Sequence, residues 1–128
     1  MAASKTYAEQ QNIKYAQKIN ELLKIFPEFC REYFNSLEYS KQPRTRLAYA
    51  RDLKTFFEFL IAEFPQYSNY QISDFTLHDI ESVTGQDISD YLRYMKVYDK
   101  DGTTVTNDER AAKRKLCSLR RFYGYYYR

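Results

Sequence analysis

Apolar residues recur at intervals of three and four through the first half of the chain, which is the spacing of one face of an α-helix. A capping box that begins at Thr6 precedes the first such run, which predicts a helix ending near Phe26. Pro27 suits the first turn of a second, shorter helix ending near Glu38. A third helix is predicted over residues 43–64. Its predicted apolar face consists of Tyr49, Leu53, Phe56 and Leu60.

The next part of the chain has a weaker pattern. Residues 65–83 contain turn-forming residues without a sustained period, so they predict a long connection with one turn of helix at most. Thr84 and Asp87 then form another capping signal, and a short helix through Met95 should follow it.

The carboxyl-terminal region combines a polar stretch with a strongly periodic one. The stretch around Gly102 predicts a mobile loop, after which Thr106 and Glu109 are expected to cap the final helix. The predicted buried face of that helix consists of Ala112, Leu116, Leu119, Tyr123 and Tyr126. The opposite, exposed face would consist of Lys113, Arg114, Cys117, Ser118 and Arg121.

Length and composition favour a single helical unit. The 128 residues suit one domain, and three Gly and three Pro leave few breaks for a turn-rich β-sandwich. We therefore expect an all-α fold, a compact bundle of four to five helices, in which an amino-terminal helix (1–26) packs with the remaining domain (27–128). Cys30 and Cys117 lack metal-ligand spacing, so free thiols and no cofactor are expected. The sequence has no membrane-length apolar run and no signal peptide, which indicates a cytoplasmic protein without a membrane partner.

The tyrosines at the end of the chain raise the possibility of catalysis. A phenol needs a base or a set of cations to become a nucleophile, and His78 is the only histidine. Tyr125, Tyr126 and Tyr127 are therefore interpreted as packing residues at a helix end. His78 has no partner at metal-ligand spacing and is expected on the surface.

The net charge of +3 conceals a strong asymmetry along the chain. Residues 61–110 are acidic, whereas 41–60 have an excess of bases and 111–128 contain bases and no acid. The bases of both basic segments fall opposite the apolar faces, so packing the helices together would leave them exposed. An exposed basic stripe without acidic neighbours suits phosphates, and an α-helix fits the major groove of DNA.

Three segments, in order, resemble the core-binding domain of phage-integrase-type tyrosine recombinases. Residues 42–60 are similar to its T..aY..DL..F...L motif, with Gln42 where the family commonly has Ser. Residues 75–95 are similar to its L.dIt..DI..Yl stretch, and residues 113–128 to its closing R.L..LR.FF.YL segment. The positions that match the first and last motifs are Thr45, Ala48, Tyr49, Arg51, Asp52, Leu53, Phe56, Leu60, Arg114, Leu116, Leu119, Arg120, Phe122 and Tyr125.

The resemblance implies a bundle like the sterile alpha motif that clamps one side of a recombination half-site on double-stranded DNA. It also implies a separate catalytic domain, absent from this chain, and further recombinase protomers on the DNA. The chain alone would bind DNA and would not cut it, and in bacteria it would associate with the nucleoid.

The resemblance implies that the third and last helices face the major groove, and residue chemistry then assigns the contacts on each helix. The start of the third predicted helix should contact phosphates through Arg44, Thr45 and Arg46, and its polar face adds Arg51 and Lys54. On the last helix Arg114 and Arg121 are the first candidates for base edges or phosphates. The second-rank candidates there are Lys113, Lys115, Ser118 and Arg120.

A different class of function is compatible with the same composition. Many aromatic residues and a solvated basic face also suit a helical protein-interaction module. A large exposed aromatic patch, without salt-dependent DNA binding, would favour that alternative.

Overall fold

The computed structural model describes residues 6–127, except for the side chain of Lys100. The predicted all-α class is confirmed, since helices dominate this part of the chain and a two-stranded hairpin is its one sheet. Residues 1–5 and Arg128, at the ends of the two predicted ranges, lie outside the described residues. The α-helices are α1 (Tyr7–Leu23), α2 (Cys30–Leu37), α3 (Pro43–Glu63), α4 (Leu77–Glu81), α5 (Gly85–Lys96) and α6 (Glu109–Tyr126).

The amino-terminal helices follow their predicted signals with shifted ends. The capping box at Thr6 is confirmed, since its hydroxyl accepts from the backbone N–H of Glu9 at 3.1 Å. α1 ends at Leu23, before the predicted Phe26. Likewise α2 begins at Cys30 instead of Pro27, because the intervening backbone forms turns that bury the Phe26 ring. α1 packs along α3, and its carboxyl-terminal half supplies the contact residues Ile19, Leu22 and Leu23.

The aromatic core is organised around α3. Phe57 is fully buried, and its ring centroid lies 5.0 Å from that of Phe75 and 6.0 Å from that of Phe26. Phe122 of α6 lies on another side at 6.5 Å. One ring therefore joins the α1–α2 connection, the segment before α4, and α6, so α3 runs through the centre of the bundle.

The connection between α3 and α5 is more regular than predicted. It contains two short 3-10 helices, Pro65–Tyr67 and Ile72–Asp74, followed by α4. Thr76 caps α4 with a complete capping box, and Thr84 caps α5 in the predicted way. These successive caps explain how a segment without sustained periodicity becomes helical.

The prediction of a loop around Gly102 is wrong. Residues of that stretch form a β-hairpin, β1 (Val97–Lys100) paired antiparallel with β2 (Thr103–Thr106). Asp101 and Gly102 have φ values of 50° and 79°, which an Asp-Gly pair adopts readily in a two-residue hairpin turn. The β-branched residues of β2 then favour the extended backbone.

The start of α6 also differs from its prediction. Thr106 belongs to β2, and the carboxylate of Asp108 caps the helix by accepting from the N–H of Ala111 at 2.8 Å. The buried face of α6 is centred on Lys115, Ser118, Leu119 and Phe122. Ala112, Leu116, Tyr123 and Tyr126, predicted for that face, are only partly buried.

Candidate nucleic-acid interface

The exposed side of α3 carries two of the predicted basic residues. Arg44 and Arg51 are exposed and lie seven residues apart, so they share one face of the helix. The helix begins with Pro43 at its first position, and within the described residues neither a capping side chain nor an acidic residue occupies its first turn. The backbone N–H groups at this end are therefore not neutralised by the protein's own side chains, and their partial positive charge adds to that of Arg44.

The other candidates on α3 are less accessible. The Arg46 side chain is 16% exposed and turns toward α2, where its Nη1 lies 4.0 Å from Oε1 of Glu38. Its Nε is buried without a hydrogen-bond partner among the described residues. Thr45 and Lys54 are partly buried. Tyr49, predicted for the apolar face of this helix, is partly buried against the core.

Asp52 joins the two basic helices. Its carboxylate is 3% exposed, and one oxygen, Oδ1, accepts from Nη2 of Arg114 at 2.8 Å and from Nζ of Lys115 at 3.1 Å. Because two cations share one carboxylate, this cluster retains one positive charge in excess. That excess reaches the surface through Arg114, whose side chain is 55% exposed, whereas the Lys115 side chain is 10% exposed.

Two second-rank candidates for DNA contact, Lys115 and Ser118, are buried, and the predicted exposure of Ser118 is wrong. Lys115 is buried because Asp52 neutralises its charge while its apolar stem packs inside. Ser118 is also buried, and it lines the same cluster with Asp52 and Tyr91. The true buried face of α6 is thus rotated from the one that its apolar residues predicted.

A second contact lies one face-repeat further along α6. Nη2 of Arg121 lies 3.5 Å from Oγ of Ser40, which precedes α3. Arg114 contacts Asp52 inside α3, so α6 lies against both α3 and the turn before it. Arg114 and Arg121, seven residues apart, therefore share one face of α6, with Arg114 beside α3 and Arg121 beside the turn before it.

Lys113 and Arg120 are exposed but occupy another side of α6. Lys113 precedes Arg114 by one residue, and Arg120 likewise precedes Arg121. A step of one residue is a rotation of about 100° around the helix axis. Lys113 is also 3.6 Å from the carboxylate of Glu109. These two cations are therefore separated from the α3 side of the helix.

Three further cations border this surface and were missed from the sequence. Lys14 and Lys18 of α1 line a groove of about 470 Å³ together with Arg51. No acidic group in residues 6–127 lies within ion-pair distance of Lys14, Lys18 or Arg51. Arg110 is exposed one helical turn before Arg114. The spacing of Lys14 and Lys18, four residues apart without an acid between them, was the signal that could have identified the α1 pair.

The carboxyl-terminal tyrosines hold α6 to the rest of the bundle. The Tyr126 hydroxyl donates to the backbone oxygen of Phe29 at 2.5 Å, and that of Tyr123 donates to the oxygen of Ile80 at 2.8 Å. Burial raises the pKa of both phenols, so both stay protonated near neutral pH. The Tyr127 hydroxyl lies 3.3 Å from the oxygen of Leu77. These contacts are those of packing residues and do not activate a nucleophile.

Within residues 6–127, no helix combines the length and the apolar character needed to cross a bilayer. His78 lies exposed on α4.

The chain is 34% identical over 110 residues to the tyrosine recombinase XerC of Caldanaerobacter subterraneus subsp. tengcongensis. The similarity covers 81% of this chain and 29% of that protein, and it supports a relationship to the tyrosine recombinases. The chain therefore spans less than a third of the length of the relative that it matches. No family model matches the sequence, and no solved structure matches it either.

Proposed function

We propose that this chain is the core-binding, DNA-binding domain of a tyrosine recombinase. Residues 27–128, with α1 packed against them, would clamp one side of a recombination half-site on double-stranded DNA, for DNA integration and recombination. A catalytic domain elsewhere in the longer protein and other recombinase protomers would be its partners, in the bacterial cytoplasm on nucleoid DNA. Strand cleavage would require that catalytic domain, so the chain by itself would bind without cutting.

One observation carries the proposal. Arg114 of α6 bonds to Asp52 of α3, and Nη2 of Arg121 lies 3.5 Å from Oγ of Ser40 just before α3, so basic residues far apart in the sequence lie on adjoining elements. Asp52, the carboxylate between the two helices, is buried and shared by two cations, so this cluster keeps an excess of positive charge. Such an excess of positive charge on two adjacent helices suits the phosphates on either side of a groove in DNA.

The relationship to a tyrosine recombinase supports this interpretation independently. The basic surface explains how this part of a recombinase would contribute to DNA binding. Both α3 and α6 belong to the region that the sequence resemblance covers. Lys14 and Lys18 would extend the surface past Arg51, so that α1 contacts the flanking backbone.

Salt-dependent binding to a fluorescein-labelled duplex of about 20 base pairs, followed by fluorescence anisotropy, tests the proposal. Four phosphate contacts would give a slope of about −3.6 in a plot of log K against log salt concentration. The double variant Arg51→Glu with Arg121→Glu should bind much more weakly, with a slope shallower by about 1.8. These positions avoid Arg114, where a glutamate would lie against the buried Asp52.

A matched control has the same change in net charge elsewhere. Lys24→Glu with Arg93→Glu alters two exposed cations, each of which lies within 3.6 Å of an acidic residue three positions before it. It should retain nearly all of the binding. Equal binding by the parent and by a folded Arg51→Glu, Arg121→Glu variant would refute the proposed surface, and absence of salt-dependent binding by the parent would favour the protein-interaction alternative.

A further inference from the structure

The two cations that share Asp52 differ in their freedom to leave it. Both bond to the same oxygen, Oδ1, at 2.8 Å for Arg114 and 3.1 Å for Lys115. The Lys115 side chain is nine-tenths buried, so its ammonium has no route to solvent without unpacking α6. More than half of the Arg114 side chain is exposed, and its long stem can rotate outward.

A buried carboxylate strongly disfavours the loss of its last cation, because an unpaired charge would remain in a poorly solvated site. With two cations present, Arg114 can leave while Lys115 continues to neutralise Asp52. The second carboxylate oxygen, Oδ2, is buried without a hydrogen-bond partner among the described residues, so both cations share the one oxygen Oδ1.

We infer that Lys115 and Asp52 are positioning residues that hold Arg114 ready for exchange onto a DNA phosphate. In the free protein Asp52 orients the Arg114 guanidinium at the surface between α3 and α6. On contact with DNA, Arg114 exchanges the carboxylate for a phosphate, and Lys115 keeps the buried charge paired. This inference rests on the proposed function, since it concerns the same surface, and it gives the buried Lys115 a role in binding without a contact to DNA.

Replacing Lys115 alone makes a specific prediction. In Lys115→Met, Arg114 becomes the last cation of Asp52 and is held away from the phosphate. The slope of log K against log salt concentration should become shallower by about 0.9, as for the loss of one phosphate contact. Arg114→Gln should give a slope as shallow as that of Lys115→Met, because both variants lose the same contact.

The double variant Asp52→Asn with Lys115→Met distinguishes the positioning role of Lys115 from a direct contact between Lys115 and a phosphate. It removes the carboxylate that retains Arg114 and leaves a neutral pair in the interior, so the parental slope should return. If Lys115 contacted a phosphate itself, the double variant would keep the shallow slope, and the inference would be wrong. It would be equally wrong if Lys115→Met bound with the parental slope.

Circular dichroism and urea unfolding establish that each variant is folded. If Lys115→Met does not fold, the double variant decides: a slope at least as steep as that of the parent supports the inference, and a shallower one overturns it. Loss of binding in Arg51→Glu with Arg121→Glu, which leaves the cluster unchanged, tests the proposed function separately. A parent that fails to bind DNA overturns both proposals. If the parent binds DNA and Lys115→Met binds with the parental salt slope, the inference alone is overturned.

Discussion

The two halves of α6 are attached to the bundle by different physical means. Its first half is joined to α3 by the ion pairs of Arg114 and Lys115 with Asp52. Its second half is held by aromatic packing of Phe122 and by the hydroxyl of Tyr126. No dissolved ion competes for an aromatic contact of this kind. A phosphate, by contrast, can compete with a carboxylate for the guanidinium of an arginine. The same helix therefore contains a fixed anchor and an exchangeable one.

The aromatic half should carry the larger share of stability. Phe122 is 1% exposed, and its ring lies 5.3 Å from that of Tyr33 and 5.4 Å from that of Tyr126. Phe122→Ala should lower the free energy of unfolding by about 3–5 kcal/mol, because it removes a buried ring and leaves a cavity. Urea unfolding monitored by circular dichroism measures the loss. A change below about 1 kcal/mol would mean that α6 is not anchored at this end.

The charged half should respond to loss of its shared carboxylate. Asp52→Ala leaves the buried Lys115 without a partner, so we expect a loss of about 3 kcal/mol in the same assay. Arg114→Gln is the matched comparison and should cost less than about 1 kcal/mol, since Lys115 still pairs with Asp52 and the arginine is half exposed. Equal costs for the two variants would contradict the unequal roles of Arg114 and Lys115.

The hydroxyl of Tyr126 is a smaller part of the aromatic anchor. Tyr126→Phe keeps the ring but removes the hydrogen bond to the backbone oxygen of Phe29, which should cost about 1 kcal/mol. DNA binding by this variant should equal that of the parent, because the phenol takes no part in the basic surface. An altered salt slope in Tyr126→Phe would show that the two halves of α6 are coupled.

The cap at the start of α6 should have an effect on stability about as small as that of the Tyr126 hydroxyl. Asp108→Ala removes the capping carboxylate and should destabilise the protein by about 1 kcal/mol. Thr106→Ala, at the residue that the sequence pattern had suggested as the cap, should cost at most about half as much, since Thr106 is exposed in β2. A larger cost at Thr106 than at Asp108 would reverse the assignment of the cap.

Local signals predicted the helices well. The capping boxes at Thr6 and Thr84 and the proline at the start of α3 are all used in the structure. They succeed because a cap depends on residues only three positions apart. The hairpin was missed although Asp101 and Gly102 are a strong turn signal, because the surrounding polar residues were interpreted as a loop.

The candidate site was less predictable, since it depends on contacts between distant residues. Placing charged residues outside is a sound rule, but Lys115 breaks it because Asp52, 63 positions away, supplies a buried counter-charge. The small hydroxyl of Ser118 likewise gave no sign of its burial in the sequence. Arg44 and Arg51 are exposed as expected, because their positions follow from the period of a single helix.

The most direct test of the central claim is an NMR titration of the ¹⁵N-labelled chain with a short DNA duplex at low salt. We predict that amide shifts and line broadening concentrate at Arg44, Arg51, Arg114 and Arg121, with weaker effects at Lys14 and Lys18. The hairpin and the Leu77–Tyr127 contact should remain unchanged. Perturbations centred on the hairpin or on Leu77 and Tyr127, or none at all, would contradict a DNA-binding surface formed by α3 and α6.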